Sequence, residues 1–241
     1  MVDPRISVID ERLRQVSRII AVSSGKGGVG KSMVATTLAL TLAKSSKVGL
    51  FDLDFTSPST HLILGVKKVL PKEDKGIVPP EVKGLVYMSL IYYSKDQAVP
   101  LRGADVSNAL IELLAVTQWG KLNFLIIDMP PGIGDAVLDL LRLVKRVEFL
   151  IVTTPSLLAF ETVKKQATLL RELKFPIIGV IENMKMNNSD SIQLETGKLG
   201  LNFLGEIPYD PKVEEAIGNK NKLLETMIAE KIREILQVKA L

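Results

Sequence analysis

Apolar runs of strand length recur along the chain: Arg18–Ser24, Lys47–Asp54, Leu85–Ile91, Asn123–Met129, Glu148–Thr154, Ile177–Asn183 and Phe203–Pro208. Most are continuous rather than alternating, as expected of strands buried on both faces of a parallel sheet. Between them lie segments with helical periodicity: Ser32–Lys44, Val106–Trp119, Ala136–Lys145, Phe160–Leu173 and Leu223–Val238. A further amphipathic helix opens the chain over Asp3–Gln15, with Asp3 as its N-cap and Pro4 in its first turn. Val66–Gly84, rich in Pro and Lys, reads as a loop inserted after the second strand. Strand and helix alternate throughout, which predicts an α/β class: a doubly wound, mostly parallel sheet with helices on both faces. Neither an internal repeat nor a linker divides the sequence, so residues 1–241 are expected to form a single domain.

Composition narrows the chemistry more than the fold. With 46% hydrophobic and 24% charged residues, the 241-residue chain can bury a sizeable core. It has no cysteine, which excludes disulfides, thiolate zinc sites and any iron–sulfur cluster held by its own sulfur. The charged opening segment lacks a signal-peptide pattern, and no run of about 18 apolar residues suggests a membrane span. A cytoplasmic location is expected. The net charge of +4 is spread without a block of like charges, so stable nucleic-acid or membrane binding is not expected.

Gly25–Ser32, GKGGVGKS, fits the phosphate-loop pattern G-x-x-x-x-G-K-[ST] between a predicted strand and a predicted helix. Glycines let backbone N–H groups converge on phosphate oxygens, and a helix N-terminus favours negative charge. Lys31 would reach the outer phosphates and the Ser32 hydroxyl would ligate Mg²⁺. ATP or ADP with Mg²⁺ is thus the expected ligand set, contacted by Gly25, Lys26, Gly27, Gly28, Val29, Gly30, Lys31, Ser32 and Met33. Asp128 ends an apolar strand at the same sheet edge and can hold a metal-bound water. Asp52 and Asp54 end the second predicted strand. Alternation puts them on one side, where both could act on one water or metal, or where one could be a cap or solvated.

SGKGGVGKS, the strand-end DLD leading into SPS, and DMPPGIGD together resemble the Mrp/ApbC branch of the MinD/ParA superfamily of P-loop ATPases, as do PLRG (Pro100–Gly103), GVIENM (Gly179–Met184) and IPYDP (Ile207–Pro211). The resemblance implies slow ATP hydrolysis and dimerisation on ATP. Lys26 would be the signature lysine that touches phosphates bound by the partner protomer, Asp54 would position the attacking water, and Asp52 and Asp128 would serve the first and second switches. Asn183 matches an adenine-recognising asparagine; Pro208, Tyr209 and Asp210 match a loop that closes over the base.

Family members that carry clusters commonly have a C-x-x-C pair after ENM, where this chain reads KMNNSDSIQLETGKLG. That departure, with stretches such as YYSKDQAVPLRG, gives a closer resemblance to archaeal HypB-type ATPases. Nickel insertion into [NiFe]-hydrogenase with a HypA-type metallochaperone is the leading expectation. An iron–sulfur scaffold or carrier without its own ligands, or a ParA- or MinD-like positioning ATPase on DNA or membrane, are the alternatives. His61, the lone histidine, is a packing or capping residue on a short helix, or faces a bound partner. The stripe in the final segment is expected to pack on the sheet rather than on a membrane.

Overall fold

The computed structural model describes residues 4–55, 57–66, 69–89, 92, 104–186 and 188–239. Its strands are β1 (Val16–Ser23), β2 (Val48–Asp52), β3 (Lys72–Glu73), β4 (Ile77–Val78), β5 (Glu81–Val82), β6 (Leu85–Ser89), β7 (Leu122–Asp128), β8 (Val147–Thr153), β9 (Ile177–Lys185) and β10 (Phe203–Pro208). Its helices are α1 (Arg5–Leu13), α2 (Lys31–Leu42), α3 (Thr60–Leu64), α4 (Ala104–Val116), α5 (Asp135–Leu143), α6 (Leu157–Glu172), α7 (Ser191–Lys198), α8 (Lys212–Glu215), α9 (Lys220–Leu224) and α10 (Met227–Lys239).

One eight-stranded sheet runs β10-β9-β8-β1-β7-β2-β6-β5, parallel throughout except for β5 at the edge. Burial on both faces explains why the strands read as unbroken apolar runs. In β1, Ile19 and Ala21 enter one core with α4, α5 and α6, while Ile20 and Val22 enter the other with α2 and α10. α2 is itself buried nearly all round, from Lys31 to Leu42, because the sheet lies on one side and α3, α9 and α10 on the other. The chain leaves β1 toward β2 on one side, then crosses from β7 to β8 on the other. This reversal opens a crevice at the carboxyl ends of β1 and β7.

The structure corrects several boundaries. Val66–Gly84 is not a plain loop: β3 and β4 pair as an antiparallel ribbon, turning at Gly76, and β5 adds to the sheet. The expected final helix is split into α9 and α10, because Asp210 accepts a hydrogen bond from the Met227 N–H (3.0 Å) and so starts a new helix there. Its stripe of Ile228, Ala229, Ile232 and Ile235 is buried, against β10 and α2. α7 and α8 have no counterpart in the sequence reading, and α3 is the short helix expected under His61. Asp3, Ile91 and the PLRG motif lie outside the described residues. No helix among the described residues is long and apolar enough to cross a membrane.

Two glycines join the second-strand loop to the far end of the molecule. Gly65 closes α3 at φ +64°, and the Gly218 N–H donates to the Ile63 carbonyl (3.0 Å). A Cβ on Gly65 would stand 2.4 Å from the Gly218 carbonyl oxygen. Gly65→Ala is therefore expected to cost about 1–3 kcal/mol from backbone strain alone, read by urea denaturation. An unchanged midpoint would show that the contact yields without cost.

Candidate functional site

The loop between β1 and α2 lines the crevice and is held there by contacts with its neighbours. Gly28 and Gly30 adopt φ of +80° and +79°, the left-handed region that glycine enters without steric cost. Gly30 is the N-cap of α2 and gives it no side-chain cap, so the first-turn donors remain open to an anion. Gly25 lies against α6, where an added Cβ would fall 2.0 Å from the Thr162 hydroxyl. Across the crevice, the Gly132 N–H donates to the Ser24 carbonyl (2.8 Å), tying the Pro130–Gly134 loop to the phosphate loop.

Lys31 does not point into open space. Its Nζ is 2.5 Å from Asp128 Oδ1 and 3.1 Å from Ser32 Oγ, with Lys31 6% exposed and Asp128 fully buried. Asp52 and Asp128 are register partners at the carboxyl ends of β2 and β7. Burial, then the charge of Asp128, pushes the Asp52 carboxyl up to about 7. Burial raises Asp128 too, against the opposing pull of Lys31. Asp128 Oδ2 is buried without a hydrogen-bond partner. Two buried carboxylates thus face one lysine, an arrangement short of positive charge.

The expected pairing of Asp52 with Asp54 on one water or metal meets a divided geometry. Asp52 Oδ1 accepts from the Asp54 N–H (3.1 Å), and Oδ2 accepts from the Thr60 N–H (3.2 Å) and hydroxyl (2.6 Å). Its oxygens are committed to the protein. Asp54 instead lines a cleft of about 520 Å³ with the phosphate loop, where its Oδ1 also accepts from the Ser57 N–H (3.0 Å). Lys26 is exposed and lines the same cleft.

A second pocket of about 220 Å³ shares Gly30 and Met33 with the first and is walled by Asn183, Pro208, Tyr209 and Asp210. Asn183 is buried, and its amide nitrogen donates to the Val29 carbonyl (2.9 Å). That bond uses one of the two amide hydrogens and does not engage the oxygen. Tyr209 is 56% exposed. Asp210 accepts from the Lys212 and Met227 N–H groups, so its carboxylate caps helices. Sequence reasoning missed this cap, and also Thr60 and Tyr87 behind Asp52, since nothing in their spacing marks them. His61 lies half-buried on α3, and no cluster of three His, Asp or Glu able to hold a metal occurs among the described residues.

A glycine loop opening a helix at the switch point of a parallel sheet, with strand-end carboxylates beside its lysine, defines a P-loop nucleotide-binding protein. The sequence model of the ParA family, described as NUBPL iron-transfer P-loop NTPase, matches residues 15–240, and the chain belongs to that family. It is 41% identical over 217 residues to the iron-sulfur cluster carrier protein of Aquifex aeolicus, covering 83% of this chain and 60% of that protein. It is 37% identical over 226 residues to the carrier protein of the same description from Saccharolobus solfataricus, covering 86% and 76%. Among solved structures, a nucleotide-binding protein from Archaeoglobus fulgidus in complex with ADP aligns with a TM-score of 0.79 at 30% identity, over 92% of this chain and 93% of that one. The septum site-determining protein MinD of Pyrococcus horikoshii, complexed with Mg-ADP, shares the fold at 23% identity and a TM-score of 0.66, over 92% and 95%.

These relatives confirm the Mrp/MinD family and overturn the expectation of nickel insertion: the named functions are iron–sulfur carriage and assembly. The HypB-type likeness and the HypA-type partner are not shown by these relatives. Part of that likeness, YYSKDQAVPLRG, is outside the described residues apart from Tyr92, and the described part carries no nickel-ligand cluster.

A pH dependence follows from Asp52. Its folded carboxyl lies above its unfolded value of 3.8, so folding favours the protonated form. Stability from this group is fully present below about pH 4 and is lost as pH rises through about 7. Thermal unfolding without nucleotide, in EDTA, should show Tm falling from pH 5 to 8 by about 2–4 °C per kcal/mol lost. Asp52→Asn should flatten that slope; an equal slope in the variant would move the titration elsewhere.

Proposed function

We propose that the chain is an ATP-hydrolysing switch of iron–sulfur cluster assembly that dimerises on ATP and acts on a cluster held by cysteines of another protein. The carrying observation is the buried Lys31–Asp128–Asp52 group at the base of an open helix N-terminus, which phosphates and a divalent cation would complete. The family and its iron–sulfur relatives support the cluster as cargo. The cargo cannot be ligated by thiolates of this chain, which has none. The chain spans 60% of the Aquifex carrier's length and 35% of that of the rice chloroplast Fe–S cluster assembly factor HCF101.

Each residue then has a task. Backbone N–H groups of Gly27–Ser32 receive the phosphates, and Lys31 trades Asp128 for the outer phosphate oxygens. The unpartnered Asp128 Oδ2 and the Ser32 hydroxyl are hard oxygen donors suited to Mg²⁺ or its waters. When bound, Mg²⁺ would offset charge on the phosphates and on the buried carboxylates. Asp54, in the cleft opposite the loop, orients the water that attacks the terminal phosphorus as the bond to the ADP oxygen breaks. Lys26 reaches the partner protomer's phosphates and neutralises charge that develops there, as an arginine finger does. The Asn183 oxygen accepts from the adenine amino group, while its nitrogen stays on Val29.

The roles separate by mutation. Lys31→Ala is expected to abolish tight nucleotide binding in calorimetry. Asp54→Ala should retain binding and lose about 100-fold or more in turnover. Lys26→Ala should bind ATP yet stay monomeric by light scattering; a Lys26→Ala protein that dimerised and hydrolysed at the wild-type rate would remove the trans role.

Cluster transfer tests the cargo. A cysteine-bearing scaffold loaded with a [4Fe–4S] cluster is mixed with an apo-recipient enzyme, with and without this protein and Mg-ATP. The expected result is faster recovery of recipient activity that needs ATP and Lys31. Recovery at the same rate with and without the protein would contradict the reading.

A further inference from the structure

The buried face of the first switch contains a hydroxyl chain with no part in binding phosphate. Thr60, fully buried at the start of α3, donates its hydroxyl proton to Asp52 Oδ2 at 2.6 Å. The Tyr87 hydroxyl lies 2.8 Å from Thr60 Oγ1. A threonine has one hydroxyl proton, and an ionised Asp52 takes it; with Asp52 ionised, Tyr87 is the donor to Thr60. Tyr87 is fully buried on β6, and burial with the nearby Asp52 charge holds its phenol well above the ordinary value, so it keeps its proton. The order is Tyr87 O–H to Thr60 O–H to Asp52.

Asp52 in turn fixes two points of the backbone. One oxygen holds the Asp54 N–H and the other holds the Thr60 N–H, so a single carboxylate closes the ends of the loop that carries Asp54. Asp54 points from that loop into the cleft, and Leu62 and Ile63 of α3 line the same cleft. Asp52 so placed holds both ends of the loop, and the Thr60 hydroxyl, with the Tyr87 hydroxyl behind it, holds the Oδ2 side of Asp52.

We propose that Thr60 and Tyr87 are positioning residues for hydrolysis, setting the orientation of Asp54 through Asp52. This rests on the reading of the chain as an ATPase. A purely structural role for the two hydroxyls would lower stability without changing the rate of the folded protein.

The test compares wild type with Tyr87→Phe, Thr60→Val and Thr60→Ser, at a temperature where all are folded. Measured are kcat, KM, the Kd for a fluorescent ADP analogue, and amide hydrogen exchange of the segment from Asp54 to Ser59. Misplacing a catalytic group by about 1 Å can cost about 100-fold, so Tyr87→Phe and Thr60→Val are expected to lower kcat by about tenfold or more. Their Kd for the analogue should stay within about threefold of wild type, since the phosphate loop is untouched. Exchange in the Asp54–Ser59 segment should rise in both, and Thr60→Ser, which keeps the hydroxyl, should recover most of the rate and protection. Unchanged kcat and unchanged exchange in Tyr87→Phe and Thr60→Val, with only a lower Tm, would overturn the inference. If wild type itself shows no turnover the ATPase reading fails, and the exchange result still decides whether the two hydroxyls hold the loop.

Discussion

The site is organised by one buried ion pair, Lys31 against Asp128 at 2.5 Å. A buried pair is not a strong source of net stability, because taking both charges out of water offsets most of their attraction. Removing one partner is different: it leaves a lone buried charge, at a cost of about 3–5 kcal/mol. Here a third charged group, Asp52, lies beside the pair in register. The lysine cannot satisfy both carboxylates, and Asp128 retains an oxygen with no partner. The pair thus keeps Lys31 folded onto the strand-end carboxylate rather than extended to solvent.

Three backbone approaches carry the state of that site outward. Gly25 touches α6 through Thr162, Val29 is held from β9 by Asn183, and Gly132 ties the loop after β7 to Ser24. On the other flank, α3 leans on Gly218 through Gly65, so the segment after Asp54 and the turn beyond α8 abut. The phosphate cleft and the second pocket meet at Gly30 and Met33. The loop that carries Asp54 lines the first of these pockets. A parallel sheet with its crossovers on both faces gives such a loop a rigid base.

Much of this was legible in the sequence. Continuous apolar runs marked the parallel strands because both faces are covered, and GKGGVGKS marked the crevice because phosphate binding demands glycine, lysine and a hydroxyl in fixed order. What stayed hidden depends on contacts distant along the chain. Asp210 walls the second pocket as its place in the base-covering loop suggests, and it also caps α8 and α10, a role set by where Met227 falls. Asp52 and Asp54 share a strand-end pattern, yet β2 stops at Asp52 and only Asp54 opens to the cleft. The short ribbon of β3 and β4 is two residues per strand, too brief for any periodicity to show. The nickel expectation leaned on the lack of cysteine, which says what the chain cannot ligate and nothing about what a partner carries.

Phosphate and a divalent cation together are expected to complete a site short of positive charge. Thermal unfolding with saturating ATP, once in EDTA and once in Mg²⁺, tests it directly, because a ligand stabilises in proportion to its binding free energy to the folded state. A much larger rise in Tm with Mg-ATP than with ATP in EDTA, lost in Lys31→Ala, is the expected result. Equal stabilisation with and without Mg²⁺ would contradict it, showing that the buried carboxylates need no cation when phosphate is bound.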